Sequence, residues 1–413
     1  MSVKAREALR EVFGYEGFRP LQEEIIDAVL SGDDALAVMP TGGGKSLCYQ
    51  VPGLVMEARG EGLVLVVSPL IALMREQVAF LRGLGARALL LNSTLTPEEW
   101  RANAEAARSG LASLLYMAPE TLASPRFREL LPSLRVGLLA VDEAHCISEW
   151  GHDFRPEYRM LGSLRASVRN ADGRAPCLAL TATATERVRR DIAGQLGLKA
   201  RGGATHREFV AGFDRPNIQI EVRRRLKAVD QILDLASNFP EGTGIVYCFS
   251  RARAEDLAES LSAKGLSALP YHAGLPAELR AANQDAFIRD QVRVIAATTA
   301  FGMGIDKPDV RFVVHADLPK SLEQYYQEIG RAGRDGLPAK ALLLFGYGDA
   351  MKIRALLRAD IDDAEDDDGS PVGAYERGAA AETALEAMLR FAESPACRRA
   401  AILAHFGETY PAE

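Results

Sequence analysis

Two short segments of this chain carry the residue types that phosphate chemistry needs. The first is M-P-T-G-G-G-K-S, Met39 to Ser46, directly after the apolar run Ala35 to Val38. Thr41, Gly42, Gly43 and Gly44 would let backbone N–H groups close around an oxyanion cluster, and Lys45 would hold the outer phosphates. The second is A-V-D-E-A-H, Ala140 to His145, at the end of the apolar run Gly137 to Val141. Ser46 and Asp142 offer a hydroxyl and a carboxylate to one Mg²⁺, leaving Glu143 to orient or activate a water. Met39 stands where the usual loop pattern opens with glycine, and neither segment alone is diagnostic. Both sit at the carboxyl end of a strand, where doubly wound sheets bind ligands, so together they point to nucleotide hydrolysis.

A third segment, Q-E-I-G-R-A-G-R-D-G, Gln327 to Gly336, follows the helical stretch Ser321 to Ile329. If it faces the nucleotide, Arg331 and Arg334 could reach the γ-phosphate, where an arginine finger is worth about 10³ to 10⁵ in rate. The elements that would position these groups come in two series. Apolar strands near residues 35–39, 63–67, 114–116, 137–141 and 177–180 alternate with helical patterns such as Ile71 to Leu84, which predicts a parallel sheet covered on both faces. After the glycine-rich stretch Gly194 to Gly212 a second series begins, with strands near 244–249, 268–271, 292–297, 312–314 and 341–345. The expected fold class is therefore α/β, with a nucleotide-binding domain over 1–207, a second domain over 208–345 and a hinge near His206 to Asn217. Beyond it, residues 346–413 form a small element with helices near Ala379 to Phe391 and Cys397 to Phe406.

Composition sets the bounds. The 413 residues exceed what one core usually organises, and 48% hydrophobic with 25% charged residues is ordinary for a globular protein. No run suits a membrane span or secretory signal, so a cytoplasmic protein without a membrane partner is expected. Cys48, Cys146, Cys177 and Cys248 are widely spaced and read as buried free thiols. The net charge of −7 is an odd sign for a nucleic-acid binder, but Asp360 to Asp368 alone holds six Asp and one Glu. Without that solvated run the balance is zero, which leaves room for a basic groove elsewhere.

The wording and order of the motifs resemble RecQ-type DNA helicases of superfamily 2. Besides the segments above, the resemblance rests on F-G-Y-E-G-F-R-P-L-Q-E-E-I-I (Phe13 to Ile26), V-V-S-P-L-I-A-L-M-R-E-Q-V (Val66 to Val78), D-E-A-H-C-I-S-E-W-G-H-D-F-R-P-E-Y (Asp142 to Tyr158), T-A-T-A-T (Thr181 to Thr185), F-D-R-P-N (Phe213 to Asn217) and A-F-G-M-G-I-D-K-P-D-V-R-F-V-V-H (Ala300 to His315). It covers roughly the first 345 residues and implies two tandem RecA-like domains. It also implies ATP with Mg²⁺, Gln22 reading adenine through its amide while Tyr15 and Arg19 flank the base, and Phe13 and Phe18 left as core aromatics. Asp306 would face nucleotide and DNA. Gly151 and Pro156 interrupt any helix through Trp150, Phe154 and Tyr158, so these aromatics, with His152 and Arg155 between them, read as a base-stacking loop that reports DNA occupancy to Glu143. Glu149 replaces the glutamine usual there. Ser68, Pro69, Ser250, Arg251 and Thr299 would contact the DNA backbone without reading sequence.

The segment A-C-R-R-A-A-I-L-A-H-F-G-E resembles the start of a helical zinc-binding region in which Cys397 is the first of four thiolates. The given sequence ends at Glu413 before the other three, so zinc is expected only in a longer form. The expected activity is DNA-stimulated ATP hydrolysis driving 3′ to 5′ movement on single strands and unwinding of duplex DNA, in repair or recombination. Partners would be single-stranded and partly duplex DNA, with single-strand-binding or repair proteins, and the chain would act as a monomer. An RNA helicase and a non-hydrolysing ATP-gated DNA clamp are the alternatives.

Overall fold

The computed structural model describes residues 2–151, 154–170, 173–302, 307–346, 348–355 and 371–410. His152, Asp306 and the acidic run at Asp360 to Asp368 lie outside them. The chain divides into two compact units, 1–212 and 213–413.

In the first unit seven strands form one all-parallel sheet: β1 (Ala35–Val38), β2 (Leu63–Val67), β3 (Ala88–Leu91), β4 (Leu114–Met117), β5 (Val136–Val141), β8 (Cys177–Thr181) and β9 (Arg207–Val210), in the order β3-β4-β2-β5-β8-β1-β9. A small antiparallel pair, β6 (Arg169–Asn170) and β7 (Gly173–Arg174), stands apart. The inner strands β1, β2, β4, β5 and β8 are buried at every position, which explains their unbroken apolar runs. Helices Gln22–Leu30 and Leu47–Ala58 pack one face, sharing a core with Val64, Val66, Leu138 and Ala140. Phe13 and Phe18 lean on that core, as expected.

The second unit is a six-stranded parallel sheet: β10 (Ile218–Arg224), β11 (Thr243–Tyr247), β12 (Ala268–Tyr271), β13 (Val294–Ala297), β14 (Val310–His315) and β15 (Ala339–Phe345), in the order β10-β15-β14-β11-β13-β12. Two helices, Pro371–Glu393 and Arg398–His405, complete the unit. Phe406, just past the second, stacks on Phe213 with ring centres 4.3 Å apart, and Tyr325 meets Phe391 at 5.3 Å. Phe391 and Phe406 therefore pack into the second unit.

Besides the short pair β6 and β7, three strands of the two large sheets have no counterpart in the expected list: β3, β9 and β10. Residues 208–210, placed at the head of the second domain by sequence, instead continue the first sheet. Arg207 to Val210 pair in parallel with Ala35 to Val38, so the division comes after Gly212. The helices near 379–391 and 397–406 appear, the first starting at Pro371. Cys48, Cys146, Cys177 and Cys248 are buried and free, while Cys397 is exposed.

Candidate nucleotide-hydrolysis site

The phosphate loop joins β1 to the helix Leu47–Ala58, and its shape depends on two glycines in the left-handed region, Gly42 at φ 81° and Gly44 at φ 79°. A Cβ at Gly44 would collide with the amide of Gln22. That amide donates to the Gly44 carbonyl at 3.0 Å and more weakly to Gly43 at 3.4 Å, while its oxygen accepts from the Arg19 N–H at 2.8 Å. The Arg19 guanidinium donates to the Gly42 carbonyl. Gln22 is buried and Arg19 and Gln22 both grip the loop itself, while Tyr15 is half exposed. Leu21, just before, takes φ 67°, a conformation that costs a non-glycine residue on the order of 1–3 kcal/mol and turns Gln22 inward. Lys45 donates to the Met39 carbonyl at 3.3 Å, and Ser46 begins the helix.

Asp142 lies at the carboxyl end of β5, next in the sheet to β2, whose end carries Ser68. It is buried, and burial pushes its carboxyl up to about 7, with the neighbouring charge of Glu143 adding to the rise and Lys45 opposing it. The Ser68 hydroxyl donates to it at 3.5 Å and the Glu143 N–H at 3.0 Å. Ser68 is thus buried and turned toward Asp142, at the strand end where a DNA contact was expected.

Glu143 has φ 47° and ψ 47°, a second left-handed non-glycine residue beside the site. Its Oε2 is buried and accepts no hydrogen bond, although His145 Nδ1 lies 3.3 Å away. That nitrogen instead pairs with the Thr181 hydroxyl at 2.8 Å, and Thr181 also donates to the Thr183 carbonyl at 3.2 Å. T-A-T and D-E-A-H thus meet at His145.

The aromatic segment is built onto the same residues. Gly151 packs so closely on the His145 carbonyl that any Cβ would collide with it. The Arg155 N–H donates to the Cys146 carbonyl at 2.9 Å, its guanidinium to the Pro69 carbonyl at 3.2 Å, and the Tyr158 hydroxyl to the Asp142 carbonyl at 3.0 Å. Tyr158 is fully buried, whereas Trp150 is 37% exposed with the Arg187 guanidinium 3.2 Å over its ring. Arg159 lies 5.2 Å from the Phe154 ring and also pairs with Glu149, so the unusual carboxylate is neutralised in place.

In the second unit Arg331 is buried, with its Nε lacking a hydrogen-bond partner, and its guanidinium lies against Gly302. The turn that carries Arg331 and Arg334 is held by F-D-R-P-N. Arg215 donates to the carbonyls of Gly330 (3.4 Å), Ala332 (3.0 Å) and Gly333 (3.0 Å), and Asn217 donates to Gly333 (2.8 Å) and Leu337 (3.0 Å). Ser250 caps its helix by accepting from the Arg253 N–H at 3.3 Å, Arg251 packs over Gly274, and Thr299 is exposed. Arg215, Asn217 and Arg187 were missed as functional residues. The first two lay within a recognised motif, while nothing in the local sequence marks Arg187. Cys397 precedes the helix Arg398–His405 without a side-chain capping bond, and among the described residues no group of three or more His, Cys, Asp or Glu could hold a metal.

The chain matches the DEAD/DEAH box helicase model over residues 19–192, the helicase conserved C-terminal domain over 224–336 and the RecQ zinc-binding model over 347–413. It is 44% identical to the probable ATP-dependent DNA helicase RecS of Bacillus subtilis, across 84% of this chain and 68% of that protein. The chain belongs to the RecQ family of helicases. It is also 45% identical to the ATP-dependent DNA helicase RecQ of Haemophilus influenzae, across 98% of this chain and 61% of that protein, and so spans about three fifths of its length. Among solved structures, S. cerevisiae Dbp5 bound to RNA and ADP BeF3 shares the fold at a TM-score of 0.66 and 17% identity, covering 92% of this chain and 97% of that one. Mycobacterium smegmatis Lhr bound to ssDNA and AMP-PNP gives 0.63 at 20% identity, covering 94% and 57%. Both support two RecA-like parallel-sheet domains. The segment matched by the RecQ zinc-binding model, residues 347–413, contains one cysteine, Cys397.

Proposed function

We propose that this chain is a DNA-stimulated ATPase that moves 3′ to 5′ along single-stranded DNA and separates duplex DNA, as a monomer in the cytoplasm serving repair or recombination. The observation that carries this reading is the wiring of Glu143. A buried carboxylate oxygen without a hydrogen bond stands 3.3 Å from His145, and the carbonyl of His145 is the surface on which Gly151 and the Trp150 loop rest. A base that meets Trp150 would move that loop, and through His145 the movement would reach the Glu143 carboxylate, the group that would activate water. Stacking is worth about 1–3 kcal/mol per base, enough to shift the loop between two positions.

The residues present fit ATP and Mg²⁺. Backbone N–H groups of the loop and Lys45 would hold the phosphates, while Ser46 and Asp142 would hold the ion, whose charge stabilises the leaving phosphates and returns Asp142 to its ionised form. Tyr15 offers its exposed ring to the base. Gln22, already bonded to Gly43 and Gly44, would connect adenine recognition to loop shape. Arg331 and Arg334 would supply positive charge to the transferring phosphoryl group. Among the described residues no helix is long and apolar enough to cross a membrane. Zinc would enter only in a longer form that brings three more ligands to Cys397.

The test is phosphate release with and without single-stranded DNA, with RNA of the same sequence in parallel and strand displacement on a duplex carrying a 3′ tail. Stimulation by DNA above RNA, with displacement, is expected. Absence of turnover would leave a clamp, and greater stimulation by RNA would leave an RNA helicase.

A further inference from the structure

The end of the first sheet opposite the phosphate loop holds a cavity of about 560 Å³ that nucleotide hydrolysis does not use. Its walls are the segments just before β1, β5 and β8 and the ends of helices Gln22–Leu30 and Leu47–Ala58. The loop leaves β1 at its other end, and a four-residue strand separates the two by roughly 13 Å.

Six cations line the cavity, Arg59, Arg135, Arg165, Arg174, Lys199 and Arg201, against two carboxylates, Asp34 and Glu61. In a chain of net charge −7 this is a strong local reversal of sign. Asp34 is buried and fully engaged, accepting from Arg165 at 2.6 Å, from Arg174, and from the N–H groups of Cys177 at 2.8 Å and Lys199 at 2.7 Å. Glu61 lies 3.7 Å from Arg59. The charge on the other cations is not matched by any lining carboxylate.

Part of this basicity serves the fold. Arg135 donates to the Gly60 carbonyl at 3.2 Å, Arg201 to Ser31 at 3.2 Å and Arg174 to Gly197 at 3.0 Å, each at a helix carboxyl end, where cations are favoured. Capping takes one N–H of a guanidinium that has five. Arg165 goes further: it is only 2% exposed, yet its Nε has no hydrogen-bond partner. A buried, charged donor left unsatisfied costs about 1–3 kcal/mol or more, so Arg165 is held in this wall against a local cost.

We propose that this cavity binds a compact polyphosphate-bearing small molecule of nucleotide size. The volume falls in the range of small-ligand sites, and the concave, multiply cationic wall suits clustered phosphate charge better than an extended strand. Through Asp34, which immediately precedes β1, occupancy at this end is joined by one strand to the phosphate loop at the other.

The experiment is calorimetric titration of the full chain carrying Lys45→Ala with tripolyphosphate and no nucleotide, so that the phosphate loop is weakened and nothing competes for the cavity. Saturable binding is expected, weakened at least about tenfold in the double variant Arg135→Gln, Arg201→Gln. Both side chains are exposed and remote from the nucleotide loop, so in a chain that keeps Lys45 the same two substitutions should leave the rate of ATP turnover at wild type, which checks the fold. No heat beyond dilution, or equal binding by the double variant, overturns the proposal. So does a single-stranded oligonucleotide whose binding weakens in the double variant while tripolyphosphate shows none.

Discussion

The two parallel-sheet units are alike in architecture and opposite in how they treat backbone. In the first, functional backbone is left available: Gly42 and Gly44 hold left-handed turns, and the side chains of Arg19 and Gln22 take up the loop's carbonyls. That arrangement leaves loop N–H groups for an anion. In the second, the functional turn is saturated from behind, since Arg215 and Asn217 bond carbonyls of Gly330, Ala332, Gly333 and Leu337. There the turn holds Arg331, buried against Gly302, with Arg334 three residues on. On the proposed function, one unit would bind phosphate with backbone and the other would supply two guanidiniums. The comparison teaches that a shared fold can be specialised by deciding which groups, main-chain or side-chain, are spent on structure.

The largest expected effect comes from removing the grip. Lys45→Ala should abolish ATP turnover in a phosphate-release assay while leaving the melting temperature within a few degrees, because Lys45 makes one 3.3 Å bond to a strand-end carbonyl and little else. Retained turnover would mean that the backbone loop suffices alone.

Next is the scaffold of the second unit. Arg215→Ala removes three hydrogen bonds from the turn and leaves it the two from Asn217, and hydrogen bonds to charged groups contribute roughly 1.5–3 kcal/mol. Turnover should fall by more than tenfold with ATP-analogue affinity unchanged, and Arg215→Lys should rescue it poorly because a single ammonium cannot reach three carbonyls in a fork. A loss of ATP affinity equal to the loss of turnover would erase the proposed division of labour.

A smaller change is expected from Trp150→Ala. It should weaken DNA stimulation by about 1–3 kcal/mol per stacked base, with basal turnover preserved. Equal stimulation by DNA would remove the loop from the coupling.

The smallest effect concerns stability against pH. Burial raises the Asp142 carboxyl from 3.8 to about 7, so the folded state favours the protonated form. The sign follows from linkage: the contribution is fully present below about 3.8 and is lost as pH rises through 7, where ionising a buried carboxyl costs free energy. Metal-free Asp142→Asn should therefore melt a few degrees above wild type at pH 8 and show less difference at pH 5. ATP turnover by the variant should be lost. A lower melting temperature at pH 8 would show that the Asp142 charge is already compensated.

What sequence disclosed follows a physical pattern. Loop and D-E-A-H residues were legible because phosphate and Mg²⁺ chemistry forces them into short contiguous segments. The inner strands were legible because burial on both faces demands apolar runs such as Leu63–Val67. The three missing strands, β3, β9 and β10, are all sheet edges. Edge strands carry charge at positions such as Arg207, Glu208 and Glu221, and A-L-L-L at 88–91 is too short for its period to tell strand from helix. Arg215 escaped because its partners lie more than a hundred residues away along the chain, and Arg187 because a guanidinium over a ring leaves no trace in spacing. Glu149 shows in the sequence only as a replacement for the usual glutamine, and its pairing with Arg159 appears only in three dimensions.

The most direct test of the account is to compare Arg331→Ala and Arg334→Ala with wild type in two measurements on one sample, ATP-analogue affinity and the DNA-stimulated rate of phosphate release. The account predicts affinity within a few-fold of wild type and a rate lower by about 10³ or more. Rates within tenfold of wild type, in either variant, would contradict it.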